Sequence, residues 1–336
     1  MATRKLCFAL VMSAALAACG SPDAPAGADG ASSPSGAAAQ PERSKAAAQP
    51  DRSRVAATAA EVAAEARGNV KCPAKVSTAP RPGLGAHDVV GVRPGMTWDE
   101  AVNVVLCTHE LLVVTENRSR RFEVNTWGQA VRQGFDAVFA EDRINKTSQE
   151  ILAEMQDSAM ARGTNRRSPG MPGGTARWYV TTMGVPGDER VVAATRLEAY
   201  AEDKAPTMAG VRDALVEKYG APTSVFEGGV WELRWVYDLQ DRQVPETHPV
   251  ARSCVGPSHP DSAVNLSTNC GVIVTATINP LRDNPLIANS LQVGVVDQAR
   301  GYESLVATER ALEQAELARR AEEAKAAAER AGKPTL

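Results

Sequence analysis

The chain has 336 residues, and its 37 Lys and Arg against 40 Asp and Glu leave a formal net charge of −3. This balance provides no overall basic field, so it excludes a protein that holds nucleic acid by general electrostatic attraction. The length suffices for two small domains, and after the N-terminal segment no apolar run approaches the length of a membrane span.

The N-terminus carries a targeting signal. Arg4 and Lys5 precede an apolar run that is too short to span a bilayer and that ends in Leu-Ala-Ala-Cys at residues 16–19. This pattern resembles the lipobox of bacterial lipoproteins, in which the signal peptide is removed and the cysteine becomes the lipidated N-terminus. Residues 1–18 are therefore predicted to be a lipoprotein signal peptide and Cys19 the lipidation site. The alternatives are an ordinary secretory signal and a buried core helix.

The residue after Cys19 bears on the compartment. In sorted lipoproteins of Gram-negative bacteria an aspartate at this place is the usual retention signal, and this chain has Gly20 instead. The resemblance therefore implies the outer membrane, with the chain facing the periplasm and the membrane as its first partner through the N-terminal lipid. Each buried methylene contributes about 0.8 kcal/mol, so several acyl chains anchor the protein durably.

The segment after the lipobox has a low-complexity composition. It consists mainly of Ala, Pro, Gly, Ser and Gln, and residues 37–45 are almost repeated at 46–54. Such a composition cannot bury enough apolar surface to order a chain. The sequence therefore predicts that residues 19–67 form a disordered tether with a reach on the order of 40 Å. Within it, residues 55–66 form at most a transient alanine-rich helix that has no apolar stripe with which to dock.

Four cysteines remain once Cys7 has left with the signal peptide and Cys19 is lipidated. An even number of cysteines in an oxidising compartment predicts two disulfides, for which three pairings exist. The shortest loops favour Cys72 with Cys107 and Cys254 with Cys270. A loop of about 15 residues, like the second, is worth roughly 3 kcal/mol in the chain-entropy model.

The rival interpretation of the last two cysteines is a zinc site. Its ligands would be His248, Cys254, His259 and Cys270. The spacings match no tight CxxC or HxxxH motif, and disulfides form where free thiolates would be oxidised. Disulfides are therefore favoured, and no metal or other cofactor is predicted.

The folded part is predicted to begin near Val70. Two capping boxes open helices in its first half, one from Thr97 to Glu100 and one from Thr147 to Glu150, and the second helix ends at Gly163. Strand patterns occupy residues 111–115, 122–126 and 135–139, and residues 178–183 and 190–200 flank a turn signal and predict a hairpin.

The second half repeats the order of helix and strands. A helix from Met208 to Tyr219 ends at Gly220, and a strand pair follows around Gly228 and Gly229. In the second strand of that pair Trp231, Trp235 and Tyr237 share one face. This face is interpreted as core, and an exposed binding face is the alternative. Two further strands are predicted at residues 272–278 and 291–296.

These elements predict an α+β fold, an antiparallel β-sheet with helices packed on one face. Helix followed by hairpin occurs twice, so residues 70–300 are interpreted as one periplasmic domain that is compatible with two tandem units, 70–200 and 201–300. Residues 301–336 are rich in Ala, Glu and Arg and predict a helix or tail whose first turns dock on the domain. The alternative for this segment is a coiled coil with a partner.

A family resemblance rests on two short motifs. Residues 91–97, Gly-Val-Arg-Pro-Gly-Met-Thr, with Glu100 and Ala101 look like the G-x-x-x-G-M-T-x-x-E opening of small outer-membrane lipoproteins of the SmpA/OmlA (BamE) type, and residues 219–222, Tyr-Gly-Ala-Pro, look like their helix-ending L-G-x-P. That family shares its layout with β-lactamase-inhibitor-like domains. The resemblance implies an envelope binding or assembly role without catalysis, and a partner protein in the envelope.

The part of the sequence that follows the lipobox carries no recognised catalytic motif. The sequence contains no GxSxG, HExxH, Walker or SxxK motif. His87 and His109 lie near the acidic residues Asp88, Asp99 and Glu110 and form a candidate acid–base pair, but ordinary surface polar residues explain them better. No catalytic residue is therefore predicted.

Two other classes remain as alternatives to a binding protein. One is an inhibitor of a periplasmic hydrolase, and the other is a hydrolase that acts on the cell wall or on lipid. Five arginines are candidates for contacts with phosphate or lipopolysaccharide, although solvated surface is favoured for all of them: Arg118, Arg120, Arg121, Arg166 and Arg167.

The lipobox gives a direct prediction. Cys19→Ala removes the thiol to which the diacylglycerol is attached, so the protein should move from the membrane pellet to the soluble or precursor fraction. Fractionation and mass spectrometry measure this change, and Cys7→Ala is the matched control that should leave the fractionation unchanged. Unaltered mass and membrane retention of Cys19→Ala would refute the lipoprotein interpretation.

Overall fold

The computed structural model describes residues 54–79, 84–116, 122–163, 171–257 and 264–332, and of residues 157–163 it describes the backbone alone. The lipobox, Cys19, most of the predicted tether and the five candidate arginines lie outside these ranges. None of the helices within them combines the length and the apolar character that a membrane span requires.

An antiparallel sheet of eight strands forms the centre of the fold. Its strand order is β2-β3-β5-β6-β10-β9-β8-β7, and a separate two-stranded sheet joins β1 to β4. The helices and strands have the following bounds: β1 Val55–Ala57, α1 Ala59–Arg67, α2 Trp98–Leu106, β2 Leu112–Glu116, β3 Gly134–Phe139, β4 Arg143–Ile144, α3 Ser148–Gly163, β5 Thr175–Met183, β6 Arg190–Ala199, α4 Met208–Tyr219, β7 Ser224–Glu227, β8 Trp231–Val236, α5 Pro249–Ser253, β9 Val272–Leu281, β10 Asn284–Asp297 and α6 Gln298–Arg330.

The sheet consists of two similar halves. In the first half α2 precedes the meander β2-β3-β5-β6, and in the second half α4 precedes the meander β7-β8-β9-β10. The last strands of the two meanders, β6 and β10, pair antiparallel in the middle of the sheet. The predicted α+β fold with an antiparallel sheet is confirmed, and each helix-plus-hairpin repeat is extended to four strands.

The helix boundaries follow the capping signals. The Thr97 hydroxyl accepts a hydrogen bond from the backbone N–H of Glu100, whose carboxylate accepts one from the N–H of Thr97 at 3.0 Å. This reciprocal pair satisfies two N–H groups that the helix itself leaves free. The capping box of Thr147 and Glu150 forms in the same way, so both predicted helix starts are confirmed.

Residues 54–67 have regular structure that the composition does not predict. β1 pairs with β4, and α1 begins with a capping box of Thr58 and Glu61 and buries Ala63 completely. Arg54 adds an ion pair with Glu150 on α3, at 2.6 Å. The prediction of a disordered tether is therefore wrong for residues 54–67, because tertiary partners order a segment that has no apolar stripe of its own.

The strand predicted at residues 122–126 is wrong. This segment is irregular, since the Phe122 N–H donates to the Gln133 side chain at 2.9 Å rather than to a neighbouring strand. Phe122 and Val124 instead pack with Leu312 of α6. The apolar residues that suggested a half-buried strand therefore serve this contact with α6.

The helices occupy both faces of the sheet, so the predicted packing on one face is correct for α2 and α4 and wrong for α5 and α6. α2 and α4 pack on one face, hereafter the helix face, over a core that includes Phe135, Trp178 and Trp235. A β-bulge between β5 and β6 at Val192 lets Val191 join this core while Val192 and Ala193 turn to the opposite face. The first half of α6 docks on that opposite face. The approach is close at Gly301, where an added Cβ atom would lie 2.5 Å from Val192 Cγ1.

Two disulfides close loops at the margins of the fold. Cys72 pairs with Cys107 at the end of α2, and Cys254 pairs with Cys270 just before β9. Both predicted pairings are confirmed. The second disulfide ties α5 to the sheet face opposite the helix face, where Ile273 and Val296 complete a small core.

The aromatic face of β8 gives a stability prediction. Trp235 is 0% exposed and donates from Nε1 to the Gly220 carbonyl at 2.8 Å, whereas Phe226 on β7 is 63% exposed. Trp235→Ala should therefore lower the free energy of unfolding by about 3–5 kcal/mol, and Phe226→Ala should change it by about 0.5 kcal/mol or less. Urea denaturation measures both values. Equal losses in the two variants would contradict the core assignment.

Candidate functional site

A buried carboxylate joins the two halves beside the middle of the sheet. Asp88 Oδ1 accepts hydrogen bonds from the N–H of Gly91 at 2.6 Å and from Lys218 Nζ at 2.9 Å, and Oδ2 pairs with Arg93 at 3.3 Å. The Tyr219 hydroxyl donates to the Asp88 carbonyl at 2.7 Å. Lys218 and Tyr219 belong to α4, so this network holds α4 against the loop that leads into α2.

The motif at residues 91–97 builds that loop. Val90 and Gly91 have positive φ angles of 44° and 89°, and Val89 pairs with Val92 across the tight turn that they form. A Cβ atom on Gly91 would lie 2.6 Å from Val76 Cγ1, so glycine is required there. Arg93 is fully buried and donates to the carbonyls of Thr78, Gly85 and Ala86.

A cavity of about 350 Å³ lies between α4 and the central strands on the helix face. Val211 and Leu215 of α4 form one wall, and Leu291 and Val293 of β10 form the floor. The turn at Val89 and Val90, together with Tyr200 and Pro206, closes its sides. Its volume is at the lower end of the range for sites that bind small molecules.

Small residues on α4 leave this space open. Gly210 and Ala214 are one helical turn apart, line the cavity and are both exposed. A longer side chain at either position would lie over the opening. In the sequence this pair is visible beside the apolar stripe of α4, but nothing local shows that the sheet floor lies beneath it.

Three polar side chains reach the cavity from two sides. Arg196 of β6 and Tyr200 lie on the side of the first half, and Lys218 lies on the side of α4. Arg196 donates from Nη1 to Glu198 at 2.6 Å, and within the described part of the chain its buried Nε has no hydrogen-bond partner. Burial raises the pKa of Tyr200 to about 12, so its hydroxyl keeps its proton at neutral pH and remains a donor.

His87 and His109, the candidate acid–base pair, have separate surroundings. The His87 ring lies 4.1 Å from the Tyr237 ring, and the His109 ring lies 4.2 Å from that of Phe139. His109 Nδ1 also accepts the N–H of Leu111 at 3.1 Å. Each ring thus has a structural neighbour, and the structure does not bring the two histidines into one site.

The rival zinc site loses its thiolates. Cys254 and Cys270 are bonded to each other, and His248 caps α5 by accepting the N–H of Val250 at 3.2 Å. His259 lies outside the described residues. Among the residues that the structure does describe, no group of three His, Cys, Asp or Glu is arranged to hold a metal ion.

The aromatic residues of β8 lie on the helix face. Trp235 and Tyr237 are buried in the core and Trp231 is partly buried, which agrees with the core interpretation. Burial makes Trp235 and Tyr237 inaccessible to a partner. The alternative of an exposed recognition face built from these three residues is therefore contradicted for two of them.

The opposite face of the sheet has a part that we call the open strip. Its residues are register partners on neighbouring strands, so they share one face. Phe226 and Glu232 are exposed, Thr277, Leu197 and Arg177 are partly buried, and Gln292 is buried. The neighbouring Thr275 lies under the segment around Pro257, whose carbonyl accepts the Thr275 hydroxyl at 3.0 Å. The open strip consists of Phe226, Glu232, Thr277, Gln292, Leu197 and Arg177.

Comparison of the chain with protein-family models, with curated proteins and with solved structures finds no match in any of the three. The resemblance to the SmpA/OmlA (BamE) type therefore stays a prediction. The residues that carry it have clear structural tasks here, as Gly91 makes a tight turn, Thr97 caps α2 and Gly220 ends α4 with a φ of 81°.

The partly buried His87 gives a pH prediction. Burial lowers its pKa below the ordinary value of 6.5, so the folded protein holds it neutral while the unfolded chain takes up a proton near that pH. Its contribution to stability is present above pH 6.5 and is lost as the pH falls through 6.5 towards the lower folded-state pKa. Between pH 7.5 and 5.5 the free energy of unfolding should therefore fall more in the parent than in His87→Phe.

Urea denaturation at several pH values measures this difference, and His109→Gln, at an exposed histidine, is the matched control. Identical pH slopes in the parent and His87→Phe would show that His87 does not titrate as inferred. A titration midpoint of the His87 ring above 6.5, observed by NMR, would do the same.

Proposed function

We propose that this protein is a lipid-anchored periplasmic binding protein that docks on another protein of the cell envelope through the open strip. The observation that carries the proposal is this row of side chains from six neighbouring strands on a sheet whose other face is packed. Phe226 and Glu232 are exposed, and Thr277, Leu197 and Arg177 are partly exposed around the buried Gln292. This function includes inhibition of an envelope hydrolase when the docked partner is such an enzyme.

The dimensions and composition of the open strip suit a folded partner. Neighbouring strands lie about 4.8 Å apart, so six strands span about 24 Å. The strip combines an exposed aromatic ring at Phe226, the apolar Leu197, the charged Arg177 and Glu232 and the polar Thr277. Protein interfaces have this mixed character and are enriched in aromatic residues and arginine.

The cavity supports binding rather than hydrolysis. Among the described residues that line it, the charged ones are the cations Arg196 and Lys218, and neither a carboxylate nor a serine–histidine pair is present. The acidic residues nearby already have partners, because Asp88 accepts from Lys218 and Glu198 accepts from Arg196. A hydrolase would need an acid, base or nucleophile directed into such a pocket.

The N-terminal segment complements this role. In the proposal Cys19 carries the lipid and residues 20–53 connect it to the first ordered strand. A lipid anchor confines the protein to the membrane and raises its effective concentration towards partners in the same envelope. Association with a partner should therefore weaken in Cys19→Ala even when the open strip is intact.

The test places a photo-crosslinking amino acid in the full-length protein in its native envelope. Incorporation at Thr277, in the open strip, should give a discrete adduct with a protein, and incorporation at Ala214, on the helix face, should not. Phe226→Glu should reduce the Thr277 adduct about tenfold, which corresponds to about 1.4 kcal/mol of lost binding energy. Quantitative immunoblotting measures the adducts.

The matched control is Leu317→Glu, since Leu317 on α6 is 58% exposed and lies outside the open strip. This variant should leave the Thr277 adduct unchanged. The proposal fails if Thr277 and Ala214 give the same adducts, or if Phe226→Glu and Leu317→Glu have equal effects.

A further inference from the structure

We infer that the cavity under α4 binds a single-chain amphiphile with an anionic head group. The inference goes beyond the proposed docking of a protein and does not depend on it, because the cavity and the open strip lie on opposite faces of the sheet. Its basis is the apolar body of the cavity together with the cationic groups that line it.

The walls of the cavity suit an acyl chain. Val89, Val211, Leu215, Leu291 and Val293 contribute aliphatic surface, and the side facing them on α4 is open at Gly210 and Ala214. At about 30 Å³ for each water-sized group, 350 Å³ accommodates roughly a dozen non-hydrogen atoms. A chain of about ten carbons with a small head group has this size.

The polar side of the cavity is rich in side chains that donate hydrogen bonds. Arg196 carries five N–H donors, and its bond to Glu198 is made by Nη1 alone, so Nε is left buried without a partner among the described residues. Tyr200 and Lys218, whose side chains carry a hydroxyl and an ammonium donor, also line the cavity. Carboxylate or phosphate oxygens would satisfy these groups, whereas a cationic head would be repelled.

The counter-ions of the two cations do not line the cavity. Glu198 and Asp88 each hold one cation in place, yet neither carboxylate is among the lining residues. The cavity therefore presents positive groups that are already ordered. A ligand does not have to restrict long, flexible side chains when it binds, and this lowers the entropic cost of binding.

The probes for this inference are decanoate, decyl phosphate, decanol and decyltrimethylammonium, each kept below its micelle concentration. Isothermal titration calorimetry uses the mature chain, residues 19–336, made without lipid and with both disulfides formed. At least one anion should bind with a stoichiometry of one and at least tenfold more tightly than decanol, and the cation should show no saturable binding. Tighter binding of decanoate would point to a fatty acid, and tighter binding of decyl phosphate to a phospholipid fragment.

Two variants test the location of the ligand. Ala214→Trp fills the opening from an exposed position and should abolish binding of the anion, and Arg196→Gln should weaken it at least tenfold. Arg177→Gln is the matched control, because Arg177 pairs with Leu197 on the opposite face of the same strands. This control should retain the affinity of the parent.

The inference is overturned if neither anion binds, or if anion, alcohol and cation bind equally. It is also overturned if Ala214→Trp binds as the parent does while its thermal unfolding is unchanged. Because Phe226→Glu alters only the open strip, it should leave binding of the anion intact. Failure of the amphiphile inference and failure of the proposed protein docking are thus distinguishable.

Discussion

The pairing of β6 with β10 is the constraint on which the rest of the structure depends. Seven consecutive residue pairs, from Ala199 with Ser290 to Ala193 with Val296, join two four-stranded meanders into one sheet. Without this seam each half would expose a long unpaired edge, which is a template for aggregation. The seam also brings Arg196 and Val293 side by side, so it creates the floor of the cavity, and it makes the open strip continuous across the two halves.

The seam needs support on the helix face, and the buried Asp88 provides it. A carboxylate in this position is costly unless it is paired, and here the cations Arg93 and Lys218 and the N–H of Gly91 satisfy it. Removal of Asp88 would leave Arg93 buried with one ion pair fewer and would release α4 from the loop before α2. The same contacts that position α4 therefore define the opening of the cavity.

Local signals predicted much of the fold because its boundaries are encoded in short stretches. Thr97 with Glu100 and Gly220 after α4 fix helix ends within a few residues, and loop length alone indicated both disulfides. The wrong predictions concern segments whose structure is determined by contacts with residues far away in the sequence. Residues 55–57 form a strand because they pair with β4, and Phe122 packs against Leu312 of α6. Both partners are far away along the chain. Neither the cavity nor the open strip was predicted, since each combines residues that only the sheet register brings together.

The two faces of the sheet impose different physical demands. On the helix face the alternate residues of β8, Leu233 and Trp235, are buried. Substitutions of these residues therefore act mainly on the free energy of unfolding. On the opposite face Glu232 and Thr277 contribute little to the core. Substitution of either residue to suit a binding partner would therefore cost little stability. Arg196 also lies within the packed face, and its Nε has no partner in the described structure, which is equally true of Trp178 Nε1 beside it and of Arg177 Nε and Arg234 Nε on the opposite face. A buried donor without an acceptor is destabilising unless a ligand supplies one. Of these donors Arg196 lines the cavity, so its charge together with the aliphatic walls around it carries the inference of a bound anion.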